Sequence, residues 1–547
     1  MASRMGLAGR VTPENAKWWT LVAACFGLFM AILDNLVVNI ALPTIQQELD
    51  STTTQLQWIV SAYTLVFASL QITAGGLGDR LGRKRWFQIG MVLFTATSLL
   101  AALAPNIETL IAARALQGLG AAFIMPLSLS LISEAFPPEE RGKAVGIWGA
   151  VSVSGIALGP IVGGALVEYA TWNWVFLINI PIGVIAFFVT QAVVKESTDT
   201  SGTVALDIPG TLLITGAIGS LTYGLIEAGN RGWGDSLILS AFVAAVVLGA
   251  AFVWVENRVE KPMVPLRFFR SSTFTGANVA AFAISFLIAG VAFFMTLYQQ
   301  NVHNLSAVRT GLALLPMVIT MMVLSPISGA FINRIGPRRM ISIGMLVTGF
   351  GTLLFLRSGV DASYWDIVPA FVVMGVGMSG IWAPMTTAVL NSVESEKSGI
   401  ASAVNGAIRE IGTAFGIALL GTLMNRTYQN SYDANNQIQA LRSDPNIGPV
   451  RGAIDFIGVG NSYAGAFINR MSDFDFVPAE IKATIVEVSS IAFVQGMDRA
   501  IIVSSAVIIA SAVLAYVLIK DSVVATTVPD PAIRPGADDA LAPVLGD

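Results

Sequence analysis

The 547 residues are 54% hydrophobic and only 12% charged, about half the charged share of an ordinary soluble domain. That is too little charge to cover a water-facing surface, so the apolar excess must face lipid. A net charge of −4 does not mark a nucleic-acid binder, the single Cys25 excludes an intramolecular disulfide, and the single His303 excludes a multi-histidine metal site.

Fourteen apolar runs are long enough to cross a hydrocarbon core of about 30 Å. In chain order they are 18–43, 56–78, 87–104, 108–132, 143–167, 174–194, 206–227, 236–256, 273–299, 309–331, 339–357, 364–390, 399–424 and 496–519. The first is too long for the apolar region of a signal peptide and has no convincing cleavage site after it, so it reads as a retained span. Placing the N-terminus in the cytoplasm puts 20 Lys and Arg on the inner side, among them Arg80, Arg83, Lys84, Arg85, Arg338 and Arg339. The short outer loops then hold only Arg231, Arg309 and Arg357. This asymmetry predicts both termini inside and a multi-pass protein of the cell (inner) membrane.

Two spacings point to duplication. Gly75–Lys84, joining spans two and three, has a degraded echo in Gly329–Arg338, 254 residues later. Gly155 and Gly159 of span five match Gly412 and Gly416 of span thirteen, 257 residues later. The expected fold is therefore all-α, with two related six-helix bundles and two inserted helices. Residues 1–194 form the first bundle, 195–272 the inserted pair and 273–520 the second bundle, which carries an outer insertion at 424–495. Within that insertion Ala453–Met471 and Ala479–Phe493 read as a helical hairpin at the outer surface. The Pro-containing tail 521–547 reads as disordered and cytoplasmic.

Five motifs then fall in order along the chain. Gly75–Lys84 resembles the loop signature of the major facilitator superfamily, and Leu110–Gly120 resembles its fourth-helix arginine motif. Gly155–Gly164 resembles the fifth-helix motif of its antiporters. Leu33–Pro43 and Trp172–Pro181 resemble its fourteen-helix drug:proton antiporter branch. Asn333 stands where the first loop copy has Asp79, and Asn173 stands where the branch often has Arg. The resemblance implies a multidrug exporter that works by alternating access, is driven by a proton gradient and has no other cofactor. Its expected partners are small hydrophobic or cationic substrates, protons and the lipid bilayer, with no nucleic acid. Expected functions are export of hydrophobic, cationic drugs or antibiotics in exchange for protons, or dedicated export of a single antibiotic or lipid. An uptake symporter or a channel is the further alternative. The chain has no ATP-binding loop, zinc-protease motif or nucleophile elbow, so no enzymatic activity is expected.

The residues supply physical reasons of their own. Asp34 lies nine residues before Pro43, about 13 Å below the outer end of span one. Arg114 lies seven residues into span four, about 10 Å from the same side. Charges at that depth are costly unless paired or hydrated, so Asp34 and Arg114 are the primary proton-coupling candidates, with a permanent structural ion pair as the alternative. Glu410, at the middle of span thirteen, is a second proton or cation candidate. Its neighbour Arg409, projecting about 100° away, is expected to pack against the other half. Gly75, Asp79, Arg80, Gly82 and Arg83 are expected to gate the inner side, a buried Asp–Arg pair latching the halves; the alternative is that these charges only set topology. Gly155, Gly159 and Pro160 are expected to form a hinge and a seal between the halves, against the alternative of ordinary small-residue packing. Trp58, Tyr63, Gln117, Gln299, Trp382, Asn405 and Arg409 are candidate substrate contacts, whose aromatic faces suit flat or cationic molecules. His303 is expected at the surface of an outer loop.

Overall fold

A computed structural model describes residues 15–49, 51, 53–198, 207–259, 262, 264–305, 307–394, 397–444, 450–452, 454–455 and 476–520. The tail 521–547, most of Ala453–Met471 and the side chains of Pro160 and Asn333 lie outside the described residues.

Fourteen long helices run through the described chain. The first six are α1 (Ala16–Glu48), α2 (Thr53–Leu81), α3 (Arg83–Ala102), α4 (Ile107–Ala135), α5 (Pro138–Tyr169) and α6 (Asn179–Val193). A single turn, Trp174–Leu177, precedes α6. The inserted pair is α7 (Ile208–Arg231) and α8 (Ser236–Glu256). The rest are α9 (Ser272–Leu297), α10 (Leu315–Ile335), α11 (Pro337–Leu353), α12 (Tyr364–Asn391), α13 (Ser398–Phe415) and α14 (Ala479–Leu518). Twelve helices are apolar and long enough to cross a membrane by length and composition alone. Of the other two, α3 opens on Arg83-Lys84-Arg85, which dilutes its hydropathy, while α5 opens on Glu139-Glu140-Arg141 and continues from Ala144 to Ile161 without a charged residue. At 20 and 32 residues they still match the bilayer in length.

The helices sort into two packed groups. In the first, α4 packs against α1, α2 and α3, while α1 also packs on α5 and α6. In the second, α12 packs on α10 and α11, and α14 packs on α9 and α11. Related close approaches recur in both groups. A Cβ on Gly155 or Gly159 of α5 would meet Ile32 or Leu36 of α1. A Cβ on Gly412, or on Gly416 in the π-turn after α13, would meet the backbone of Phe282 or Phe286 of α9. Gly82 and Gly336 both take a positive φ, 117° and 85°, a conformation a side chain would strain. Each breaks one helix and starts the next at the same point of its group.

The groups meet where α5 packs on α10 and α12, and where α2 and α4 pack on α13. The inserted pair sits against the second of these seams. Thr73 of α2 and Thr215 of α7 share a hydrogen bond of 3.1 Å. The Trp233 indole, just past α7, donates to Thr422, just past α13, at 2.8 Å. The outer helix α8 packs on α7 and is otherwise little covered, only 11% of its apolar window being buried.

Two expectations give way here. Ala479–Phe493 is not an arm of a separate hairpin but the start of α14, one continuous 40-residue helix. Its polar residues lower hydropathy, yet no Pro or Gly interrupts it before Gly496. The glycine stripe of α5 does not seal the two groups together, because Gly155, Gly159 and Gly163 all face α1 of their own group. Small residues every four positions demand a close helix partner without saying which helix it is. The seal between groups lies earlier in α5, where Gly142 meets the backbone of Gly329 and Gly146 meets the backbone of Ser325.

Candidate functional site

Asp34 and Arg114 come together, both fully buried, with Arg114 Nη1 donating to Asp34 Oδ2 at 2.6 Å. Each is held by further partners. Asp34 Oδ1 accepts from Gln117 Nε2 at 2.8 Å and from Asn179 Nδ2 at 2.6 Å. Arg114 Nη1 also donates to Gln117 Oε1 at 2.7 Å, and Nε donates to the Ile59 carbonyl at 3.2 Å. Ser98 Oγ accepts from Gln117 Nε2 at 2.8 Å, tying α3 to the same cluster. The guanidinium lies over the Tyr63 ring, 4.4 Å from its centroid. Five helices, α1, α2, α3, α4 and α6, thus converge on one carboxylate.

Gln117 is accordingly a ligand of Asp34 rather than a free side chain waiting for substrate. Its position one turn after Arg114 puts both on the same face of α4. Asn179 and Ser98 were not singled out from sequence. The signal for Asn179 was an amide inside an apolar run, which in a membrane needs a polar partner. Arg114 Nη2 is buried and makes no hydrogen bond among the described residues.

On the facing group, Glu410 and Arg409 lie on α13. Glu410, Asp34 and Arg114 all act electrostatically on Tyr63, so charges of both groups are felt at one aromatic ring. The Arg409 guanidinium sits over Trp382 of α12, 5.1 Å from the ring centroid, within its own group. Trp382 therefore already has a cation on one face. The Arg409 Nε and Trp382 Nε1 donors are buried and find no hydrogen-bond acceptor among the described residues. Asn405 Nδ2 donates to Asn278 Oδ1 on α9 at 3.1 Å, so Asn405 is at least partly satisfied. Trp58 lies 6.3 Å from Tyr223 of the inserted α7, ring to ring. Gln299, in a π-turn that extends α9, is buried with both amide atoms unpaired among the described residues.

A second polar cluster lies at the basic end of the seam, the end that carries Gly82 and Gly336. Asp79 accepts from Arg83 Nε at 2.8 Å and from Ser130 Oγ at 3.1 Å. Its other oxygen accepts the backbone N–H of Ile400 at 2.8 Å, in the first turn of α13. The expected latch is thus present as a contact, but the bond that crosses the seam is carboxylate to helix N-terminus. The Asp79–Arg83 pair itself is internal to the first group. The side chain of Lys397 gives α13 no cap, so Asp79 serves as one from across the seam. Ser130 and Ser398 add a bond of 3.0 Å, and Arg141 Nη1 reaches Asn391 Oδ1 at 3.2 Å. Gly75 allows the close approach, since a Cβ there would meet the Gly399 carbonyl oxygen. Arg80 turns away from this cluster, its Nη2 donating to the Pro262 carbonyl at 3.2 Å.

His303 is half-buried rather than at the surface, packed edge-on to Tyr298 with ring centroids 4.7 Å apart. Burial holds its imidazole below the ordinary value, Asp361 partly opposing.

Fourteen membrane-length helices in two related groups, with buried charge along the seam, define a membrane transporter. The family model of the Major Facilitator Superfamily matches residues 24–417, and the chain belongs to that superfamily. It is 33% identical over 515 residues to the tetracenomycin C resistance and export protein of Streptomyces glaucescens, covering 93% of this chain and 92% of that one. It is 38% identical over 419 residues to the methylenomycin A resistance protein of Streptomyces coelicolor, covering 76% and 87% of the two chains. Among solved structures it resembles the human organic anion transporter MFSD10 (TETRAN), with a TM-score of 0.57 at 12% identity, covering 91% of this chain and 99% of that one. That last likeness is one of fold alone.

Proposed function

We propose that the protein exports hydrophobic, cationic drugs or antibiotics in exchange for protons by alternating access, from the inner membrane with its basic end in the cytoplasm. The observation that carries this reading is the fully buried Asp34–Arg114 pair, wired to α3 and α6. Two carboxylates and two arginines lie within the two groups, Asp34 with Arg114 in the first and Glu410 beside Arg409 in the second, so the set is neutral when Asp34 and Glu410 are both ionised. One proton on either carboxylate leaves a net positive site that repels a cationic substrate across a low dielectric. Cation and proton then exclude each other, and by linkage binding one releases the other. Antiport needs no further coupling device.

In the proposed cycle the first and second groups rock about the seam. The Asp79 bond to the start of α13 holds the cytoplasmic end shut and breaks when it opens. A compound enters from the cytoplasm or inner leaflet and meets Tyr63, Trp58 and Glu410. A proton arriving from outside at Asp34 weakens the charge-assisted bond to Arg114 and discharges the substrate. Supporting the direction of transport, the two relatives named above are a resistance and export protein and a resistance protein. Their names also support the second reading, dedicated export of one antibiotic, in which the same site serves a single molecule.

The test is proton release on binding. In lightly buffered detergent solution, a lipophilic cation should release protons from the wild type and none from Asp34→Asn. Cation binding with no proton release in the wild type would remove the coupling from this reading.

A further inference from the structure

A groove of ≈ 270 Å³ opens between α11 and α14 on the lipid-facing side, far from the seam. Its lining is Arg339, Ser342, Ile343, Leu346, Val513 and Tyr516, with Ala512 at its base. Ile343, Leu346 and Val513 are exposed in helices that cross the membrane, so the groove faces acyl chains. Its basic end is built differently. Arg338 lies over the Tyr516 ring, 3.9 Å from the centroid. Its Nε is buried and makes no hydrogen bond among the described residues, and neither does the Ser342 hydroxyl, which is 5% exposed. These donors sit in the first two turns of α11, whose start offers unpaired backbone N–H groups and the positive end of the helix dipole. No acidic residue lies in α11 or in the second half of α14 to balance them.

We propose that this groove is a binding site for an anionic phospholipid. The phosphate sits against Arg338, Arg339 and the first turn of α11, with the Ser342 hydroxyl donating. One acyl chain lies along Ile343, Leu346 and Val513. Unpaired donors at headgroup depth above an apolar channel are what a lipid phosphate requires, and basic pockets between helices on the cytoplasmic side bind such headgroups. A soluble phosphate would leave the channel below it empty and has no counterpart for the apolar walls.

Native mass spectrometry of the purified full-length protein tests the site, with phosphatidylglycerol and phosphatidylcholine of matched chains as probes. The wild type should retain one phosphatidylglycerol in preference to phosphatidylcholine. Arg338→Gln with Arg339→Gln should weaken that retention by roughly twenty-five-fold, on the order of fivefold for each charge. Val513→Trp keeps the charges but fills the channel, and should also weaken retention. Arg267→Gln with Arg270→Gln removes equal charge elsewhere at the basic end and should leave retention within about twofold, less than one charge is worth. The proposal is overturned if the wild type shows no preference, if the control pair loses as much as the test pair, or if Val513→Trp binds normally. Displacement of the lipid by inorganic phosphate at equal concentration would also overturn it.

Discussion

Asp79→Asn isolates the latch. The native carboxylate accepts three hydrogen bonds, and only the one from the Ile400 N–H at 2.8 Å joins the two groups. An asparagine can keep its carbonyl toward Arg83 and Ser130, but its amide then points a donor at another donor. The loss is one charge-assisted hydrogen bond, worth about 2 kcal/mol, together with the interaction of a charge with the start of α13, worth about 1 kcal/mol. About 3 kcal/mol moves a two-state ratio by roughly a hundredfold. Spin labels at Glu139 and Glu394, in a background with the only cysteine, Cys25, replaced by Ser, report the separation of the basic ends. The native protein should show one short distance, and Asp79→Asn should move most of the population to a longer one. An unchanged distance distribution would refute the latch and leave Asp79 a local structural residue.

Four further outcomes follow from the structure. Gly142→Val should push the basic ends apart, because its Cβ would lie 2.5 Å from the Gly329 carbonyl oxygen, which is backbone and cannot turn away. Gly159→Val meets the Leu36 side chain within one group; it should cost about 1–3 kcal/mol of stability, read by thermal unfolding, without lengthening the label distance. Asn179→Ala removes a donor at 2.6 Å from Asp34 and should reduce proton-driven export several-fold while sparing substrate exchange without a gradient. Burial holds the His303 imidazole below its ordinary 6.5, so the unfolded chain binds the extra proton first and stability falls as pH drops through that value. NMR titration of this single histidine should give a midpoint under 6.5, and His303→Gln should flatten the acid slope of stability; a midpoint at or above 6.5 contradicts the burial.

Depth along a helix was legible from the sequence, and choice of neighbour was not. Counting residues from Pro43 and from the start of span four placed Asp34 and Arg114 at one level, where two buried opposite charges have little choice but to pair. Gly82 and Gly336 announced equivalent turns through their flanking basic residues. Partner selection needed the structure, because the stripe of Gly155, Gly159 and Gly163 fits any helix that can approach closely. Arg409 likewise could have stacked on an aromatic of either group, and it took Trp382 on its own side. Asn179, within the Trp172–Pro181 motif, was not singled out because an amide in an apolar run shows the need for a polar partner without naming it. The start of α14 was misread because hydropathy averages out Glu480, Lys482 and Glu487, although these residues favour helix as strongly as leucine does.

Efflux from proteoliposomes tests the central claim most directly. A fluorescent lipophilic cation is loaded on the cytoplasmic face and an inward proton gradient is imposed across the membrane. The account predicts uphill export by the wild type, collapse of that export when the gradient is dissipated, and no uphill export by Asp34→Asn. Gradient-driven export by Asp34→Asn at the native rate would contradict it and return the Asp34–Arg114 pair to a purely structural role.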